Sequence, residues 1–264
     1  MQGPGALAED EASVFADFAS RVALEGAVVV EVGGAYPTEQ LLATGVQKWY
    51  SIDPARSARR SPDGRHEVIA ARAEEMPLPD ACADAVFSCN AFEFVDVAAT
   101  LAEARRILKP GGLLYAHFGP IWSAIDGHQL EYVTYEGRDL VFWKDTYLPP
   151  WAHLAYERDE LRALLLSALP ADLVDILVTH VHDSDTVNRL LLEDYVECAL
   201  ASGLQWVQVA ASSHLDYDIQ TPDYDPSLLR DVDPQELAEE LSRRLGRRVQ
   251  LGARDVLMVL AQPR

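Results

Sequence analysis

The run Gly26-Ala-Val-Val-Val-Glu-Val-Gly-Gly34 constrains this chain more than any other stretch. It is β-branched and apolar at consecutive positions and closes on two glycines, which predicts a strand buried on both faces. Such a strand belongs in a parallel sheet covered by helices on two sides, because a half-exposed antiparallel strand would alternate. Before it, residues 6–24 place Val14, Phe15, Phe18 and Val22 at helical spacing. After it the scheme repeats, with a helix at Thr38–Thr44, strands at Lys48–Asp53, His66–Ala71 and Ala85–Cys89, a helix at Val95–Leu108 and a fifth strand at Leu113–His117. This alternation predicts an α/β, Rossmann-like, doubly wound sheet with right-handed crossovers. Its ligand crevice is expected at the carboxyl ends of the strands, where the winding reverses.

Past Phe118 the rhythm breaks into loops rich in aromatic residues and proline, with helices at Arg158–Leu169 and Ala171–Leu177. This is read as an insertion after strand five. A helix at Asn188–Ser202, a strand at Trp206–Ala211, an acidic loop at Asp216–Asp233, a helix at Pro234–Leu245 and a last strand at Val256–Ala261 complete the chain.

Charge narrows the function classes. Against 42 acidic side chains stand 22 basic ones, a formal charge of −20, which disfavours nucleic-acid and anionic-membrane partners. The basic stretch Arg56–Arg65 reads as an exposed loop balancing acidic neighbours. No segment approaches the roughly 20 apolar residues of a membrane span, and the N-terminal sequence is acidic where a signal peptide would be basic, so a cytoplasmic protein is expected. Cys82, Cys89 and Cys198 are odd in number and lack metal or disulfide spacing. His180-Val-His182-Asp183-Ser-Asp185 resembles a metal cluster in composition only, since histidines two apart share a face on a strand and not on a helix. It reads as a solvated loop, and no metal is expected.

The chemistry concentrates at the strand ends. The Gly33-Gly34 pair after a buried strand lets a ligand approach the backbone. Asp53, 20 positions beyond Gly33 and ending the next strand, can accept both hydroxyls of a ribose. Glu31 is placed to meet an ammonium group directly or through water, and Pro54 offers a flat apolar surface to a nucleobase.

Together with Glu74-Glu-Met-Pro-Leu-Pro-Asp80, Asp84-Ala-Val-Phe-Ser88, Glu93 and the turn Lys109-Pro110-Gly111-Gly112, these residues resemble the class I S-adenosylmethionine-dependent methyltransferases, in their small-molecule, type 11-like branch. The resemblance covers about residues 26–117. It implies a seven-stranded, mostly parallel sheet with an antiparallel last strand, and S-adenosylmethionine as methyl donor with S-adenosylhomocysteine as product. It implies cofactor contacts from Glu31, Gly33, Gly34, Ala35, Asp53, Pro54, Ala73, Glu74, Cys89 and Asn90. Ala35 and Pro37 stand where the family has its second and third glycines, and Arg72-Ala73 replaces its Asp-Ala, so adenine is expected to rest on the Ala73 amide with Glu74 nearby. One methyltransferase domain is then expected over residues 1–264: an N-terminal helix (1–25), a cofactor-binding half (26–117), a substrate-cap insertion (118–192) and a C-terminal helix with the last strands (193–264).

For the acceptor, His128 is the first candidate base or ligand and His117 the second, because imidazole titrates near ~6.5. Packing of the insertion is the other reading of both. Trp122, Trp143, Tyr147 and Trp151 suit a cap over a flat or apolar acceptor, and structural packing explains them equally well. The expected function is methylation of a small molecule such as a specialised metabolite, with oxygen ahead of nitrogen or carbon. The alternative is a methyltransferase-like protein that does not transfer methyl and serves as scaffold, partner subunit or rearrangement catalyst. A nicotinamide-dependent oxidoreductase is disfavoured because GxGxxG is absent.

Overall fold

In the computed structural model, which describes residues 7–8, 10–34 and 36–264, the valine run is strand β1 (Val28–Val32) in the interior of an eight-stranded sheet. Helix α1 (Glu11–Arg21) precedes it. Then follow α2 (Thr38–Ala43), β2 (Lys48–Ile52), β3 (Arg59–Arg60), β4 (His66–Ile69), β5 (Ala83–Cys89), α3 (Val97–Ile107) and β6 (Leu108–Phe118). The remainder is β7 (Val133–Tyr135), β8 (Arg138–Leu140), α4 (Ala152–Ala155), α5 (Arg158–Leu166), α6 (Ala171–His182), α7 (Leu192–Ala201), β9 (Gln205–Ser212), α8 (Pro234–Leu245) and β10 (Asp255–Ala261).

The strand order is β3-β4-β2-β1-β5-β6-β10-β9. From β4 to β6 the strands are parallel, while β10 runs antiparallel to both β6 and β9. The doubly wound sheet with its antiparallel last strand is therefore present. It has eight strands where seven were expected, because Arg59–Arg60 adds a two-residue edge along β4. Two exposed arginines carry no hydrophobic pattern, so nothing in the sequence marks them as a strand. The chain winds outward from β1 through β2 and β4, then returns to β5 on the other side of β1, which puts the reversal at the carboxyl ends of β1 and β5.

The chain divides into two compact units. The first holds the residues through Gly119 with Asp194–Ser212 and Asp255–Arg264; the second holds Pro120–Glu193 with Ser213–Arg254.

In the first unit, Asp10 caps α1 by accepting the Ser13 N–H at 2.7 Å, and Val14, Phe15 and Phe18 form its buried stripe. Phe18 stacks 4.6 Å from Phe87, and Trp49 and Tyr115 complete an aromatic layer over the sheet. Each such buried side chain stabilises the unit by ~1.5–3 kcal/mol relative to exposure. At the amino ends of the strands, Asp84 accepts the Val28 N–H at 2.8 Å and the Lys109 ammonium at 2.7 Å. Burial raises the Asp84 carboxyl, and these two donors outweigh it and hold it below the usual range. Gly111 turns with φ +80°, and the Gly111 N–H and Gly112 carbonyl both bond Gln262 beyond β10. Lys109-Pro110-Gly111-Gly112 is thus a structural joint at the end of the sheet opposite the crevice.

The second unit buries Leu161, Leu164 and Leu165 of α5 against Leu173, Val174 and Leu177 of α6. Helix α6 continues past Leu177 to His182, because Val178 and Val181 prolong its buried stripe. His180 is buried and its Nε2–H donates to the His128 carbonyl at 2.7 Å, so the solvated loop expected at His180–Asp185 starts only after His182. Asp126, fully buried, accepts the Tyr217 hydroxyl at 2.8 Å and Arg254 Nε at 2.9 Å, which ties the first loop of this unit to its last segment. Among the described residues, no helix is long and apolar enough to cross a membrane.

Candidate cofactor site

Strands β1 and β2 each carry a polar residue near the carboxyl end. Glu31 on β1 and Ser51 on β2 are register partners and share the face that carries Trp49 and Phe87. Glu31 is buried, and its Oε2 accepts the Trp49 Nε1–H at 2.9 Å and the Ser51 hydroxyl at 2.6 Å. The sheet pairing extends one residue further, with the Gly33 N–H on the Ile52 carbonyl at 2.9 Å. Gly33 has φ +77°, and a Cβ there would stand 2.6 Å from the Ala91 Cβ. A Cβ on Gly34 would stand 2.4 Å from the Ser51 Cβ and 3.1 Å from Glu31 Oε2. The turn therefore rests directly on Ser51 and the carboxylate, an approach that only glycine permits. Ala35 lies outside the described residues. Tyr36 turns into the α1 core, its hydroxyl donating to the Glu11 carbonyl and its ring 5.1 Å from Phe15.

Asp53 ends β2, with its N–H on the Ile69 carbonyl at 3.1 Å. Its Oδ1 accepts the Ala55 N–H at 2.8 Å, and its Oδ2 pairs with Arg56 Nε at 3.0 Å. A carboxylate offers about four acceptor positions, so two donors leave capacity for a diol. Pro54 beside it is exposed. Ala73 is buried, and Glu74 accepts both the Asp96 N–H and Arg72, each at 2.9 Å. Burial raises the Glu74 carboxyl, and these bonds reverse that and leave it below its usual value. The Arg72 side chain is 68% exposed, turned to solvent.

At the ends of β5 and β6, Cys89 and His117 are register partners. Burial pushes the Cys89 thiol up to about 12, so it stays protonated near neutrality. Asn90 adopts φ +52° and donates its N–H to the His117 carbonyl at 2.9 Å. His117 is buried, and neither ring nitrogen has a hydrogen-bond partner among the described residues. Burial lowers its pKa against the pull of Asp255 and Asp17, which keeps the ring neutral at pH 7.

Carboxylates thus lie at the ends of two neighbouring strands beside a glycine turn, and two bulky side chains nearby, Tyr36 and Arg72, point into the core and into solvent. This pair of acceptors fits an adenosyl amino acid, with Glu31 for an ammonium and Asp53 for a ribose diol. Four adjacent strands gather Glu31, Gly33, Gly34, Asp53, Cys89, Asn90 and His117.

The other predicted residues belong to the second unit. His128 is buried, its Nδ1 accepts the Leu130 N–H at 3.2 Å, and its ring lies 5.9 Å from that of His153. Burial first, and then His153 and His180, hold its pKa well below 6.5. Trp122 meets the His153 ring edge-on at 4.5 Å, and Trp151 Nε1 donates to the Ser123 carbonyl at 3.3 Å. Trp143 is 42% exposed beside Phe142, and the Tyr147 hydroxyl accepts from Arg138 at 3.3 Å.

Sequence reasoning passed over Trp49, Ser51 and His66, which surround the Glu31 carboxylate and its partner. The signal was present, because Glu31 and Ser51 are polar residues at matching places in two otherwise apolar strands.

Residues 30–116 match the family described as a methyltransferase domain, type 11. The chain is 27% identical over 130 residues to a malonyl-[acyl-carrier protein] O-methyltransferase of Serratia marcescens, covering 39% of this chain and 51% of that one. It is 38% identical over 82 residues to a ubiquinone/menaquinone biosynthesis C-methyltransferase of Caulobacter vibrioides, covering 28% and 32%. The chain spans about half or less of the length of these curated relatives. In fold it is similar to an S-adenosylmethionine-dependent methyltransferase from Mesorhizobium loti, with a TM-score of 0.53 at 15% identity over 94% of this chain and 96% of that one. The family match covers residues 30–116, about a third of the chain, and the likeness to the Mesorhizobium loti structure is one of fold.

Proposed function

We propose that this chain transfers a methyl group from S-adenosylmethionine to a small-molecule acceptor, with oxygen the favoured atom, in the cytoplasm. The observation that carries this reading is the pair of carboxylates, Glu31 and Asp53, ending adjacent strands beside the Gly33-Gly34 turn. The bound cofactor would supply a methyl group already activated on a sulfonium. Glu31 holds the ammonium, Asp53 the ribose diol, and the Ala73 amide with Glu74 the adenine. His117 is neutral, with no partner for either ring nitrogen among the described residues, which suits it to take the proton of an acceptor hydroxyl. Cys89, kept protonated by burial, does not compete for the methyl group. Trp122, Trp143, Tyr147 and Trp151 are assigned to acceptor binding on their chemistry, and His128 to orienting that set.

The relatives support transfer without agreeing on the atom, one being named for O- and the other for C-methylation. A neutral imidazole such as His117 supports a hydroxyl acceptor, whose proton it can take. Free cysteines at Cys82, Cys89 and Cys198 accord with a reducing compartment. The test is calorimetry with S-adenosylhomocysteine, followed by transfer of labelled methyl to a panel of phenols, carboxylic acids and amines. Absence of binding at millimolar ligand would end this reading.

A further inference from the structure

The β1–α2 loop is held from beneath at both of its ends by one buried chain of hydrogen bonds. Glu31, at the end of β1, accepts the Ser51 hydroxyl at 2.6 Å. Because the Ser51 proton is spent on Glu31, the 3.0 Å contact between Ser51 Oγ and His66 Nε2 requires His66 to donate from Nε2. The Nδ1 of His66 is then an acceptor, and the Thr38 hydroxyl donates to it at 2.8 Å. Thr38 is the first residue of α2. Trp49 Nε1 adds a second donor to the same Glu31 oxygen at 2.9 Å. Every donor therefore points the same way, from Thr38 through His66 and Ser51 to the carboxylate, and such aligned bonds polarise one another.

Three features make this more than packing. Glu31, Ser51 and His66 are each buried, so their groups interact across a medium of low dielectric. Gly34 lies on Ser51 and Glu31 so closely that a methyl group would collide with both. The chain bridges residues 31 and 38, on either side of the positions where Ala35 and Pro37 replace the family's second and third glycines.

We infer that Ser51, His66 and Thr38 are positioning residues for the cofactor's amino-acid end: they fix the Glu31 carboxylate and brace the glycine turn above it. This rests on the proposed cofactor reading and assigns roles to residues that it leaves out. Burial, followed by the charges of Arg59 and Lys48, lowers the His66 pKa and keeps the ring in the neutral form that the donor pattern needs.

Two ligands separate the amino-acid end from the nucleoside end. S-adenosylhomocysteine carries both, whereas 5′-methylthioadenosine carries only the nucleoside and the sulfur. Ser51→Ala, which removes a bond to the carboxylate, and His66→Phe, which removes the donor that orients Ser51, should each weaken S-adenosylhomocysteine about 10- to 100-fold while methylthioadenosine changes less than about twofold. His66→Gln, which keeps a donor at the Nε2 position, should recover most of the affinity. Equal losses for both ligands, or no loss for S-adenosylhomocysteine, overturn the inference. Failure of the unaltered protein to bind either ligand overturns the cofactor reading instead. The network is then judged by 15N NMR of the ligand-free protein, where His66 should be the Nε2–H tautomer and its ring resonances should shift in Glu31→Gln. A Nδ1–H tautomer, or resonances indifferent to Glu31→Gln, would refute it.

Discussion

Arg56 Nε lies 3.0 Å from Asp53 Oδ2, so the carboxylate assigned to the ribose is already paired within its own loop. The arginine is 42% exposed, and a pair so placed contributes only ~0–1 kcal/mol. Arg56→Ala should therefore leave the melting temperature nearly unchanged. By releasing one acceptor oxygen, it should tighten S-adenosylhomocysteine binding by up to about fivefold. Asp53→Ala should weaken it by at least about tenfold, since hydrogen bonds to a charged acceptor are lost. Calorimetry on the two variants checks this, and matching affinities would show that Asp53 does not reach the ligand.

Gly33 is held by two separate constraints, its positive φ and the 2.6 Å approach that a Cβ would make to the Ala91 Cβ. Gly33→Ala should destabilise the first unit by about 2–5 kcal/mol, the sum of a left-handed backbone penalty and overpacking. Ala91→Gly in the same chain should restore the packing part and leave about 1 kcal/mol from the backbone. Denaturant unfolding of the single and double variants measures the coupling, and strictly additive losses would exclude the contact.

Burial lowers the pKa values of His128, His153 and His180 in the second unit, that of His153 to about 4. Unfolded, each titrates near ~6.5. The folded state therefore binds fewer protons below that pH. The stability held by the neutral rings is complete above about 6.5 and is lost as pH falls toward the folded values, on the order of 3 kcal/mol for His153 alone. Melting temperatures at pH 7.5, 6.5 and 5.5 should drop across this window, less steeply in His153→Gln. A flat profile would mean that these rings are not buried in solution.

His117→Asn should reduce turnover with an oxygen acceptor by about 100-fold or more while S-adenosylhomocysteine affinity holds, because general-base catalysis contributes ~10²–10⁴-fold. His128→Asn alters a ring that accepts the Leu130 N–H, and its main effect should be a lower melting temperature. If His117→Asn kept full turnover and His128→Asn abolished it without loss of stability, the two assignments would exchange.

Local pattern alone determined the parallel sheet, its winding and the identity of the strand-end carboxylates. Each depends on the continuous apolar run at Val28–Val30, the glycine pair and the 20-residue interval to Asp53, all of which a linear chain displays. The Lys109-Pro110-Gly111-Gly112 turn also carried the family resemblance, yet it lies at the opposite end of the strands and secures β5, β6 and β10. Tertiary structure decided what those carboxylates touch. That Ser51 and His66 converge beneath Glu31 and that His117 has no partner for either ring nitrogen among the described residues depend on separate strands meeting at a particular register. Register is a property of the assembled sheet, and shifting one strand by a single residue would turn each of these side chains to the other face.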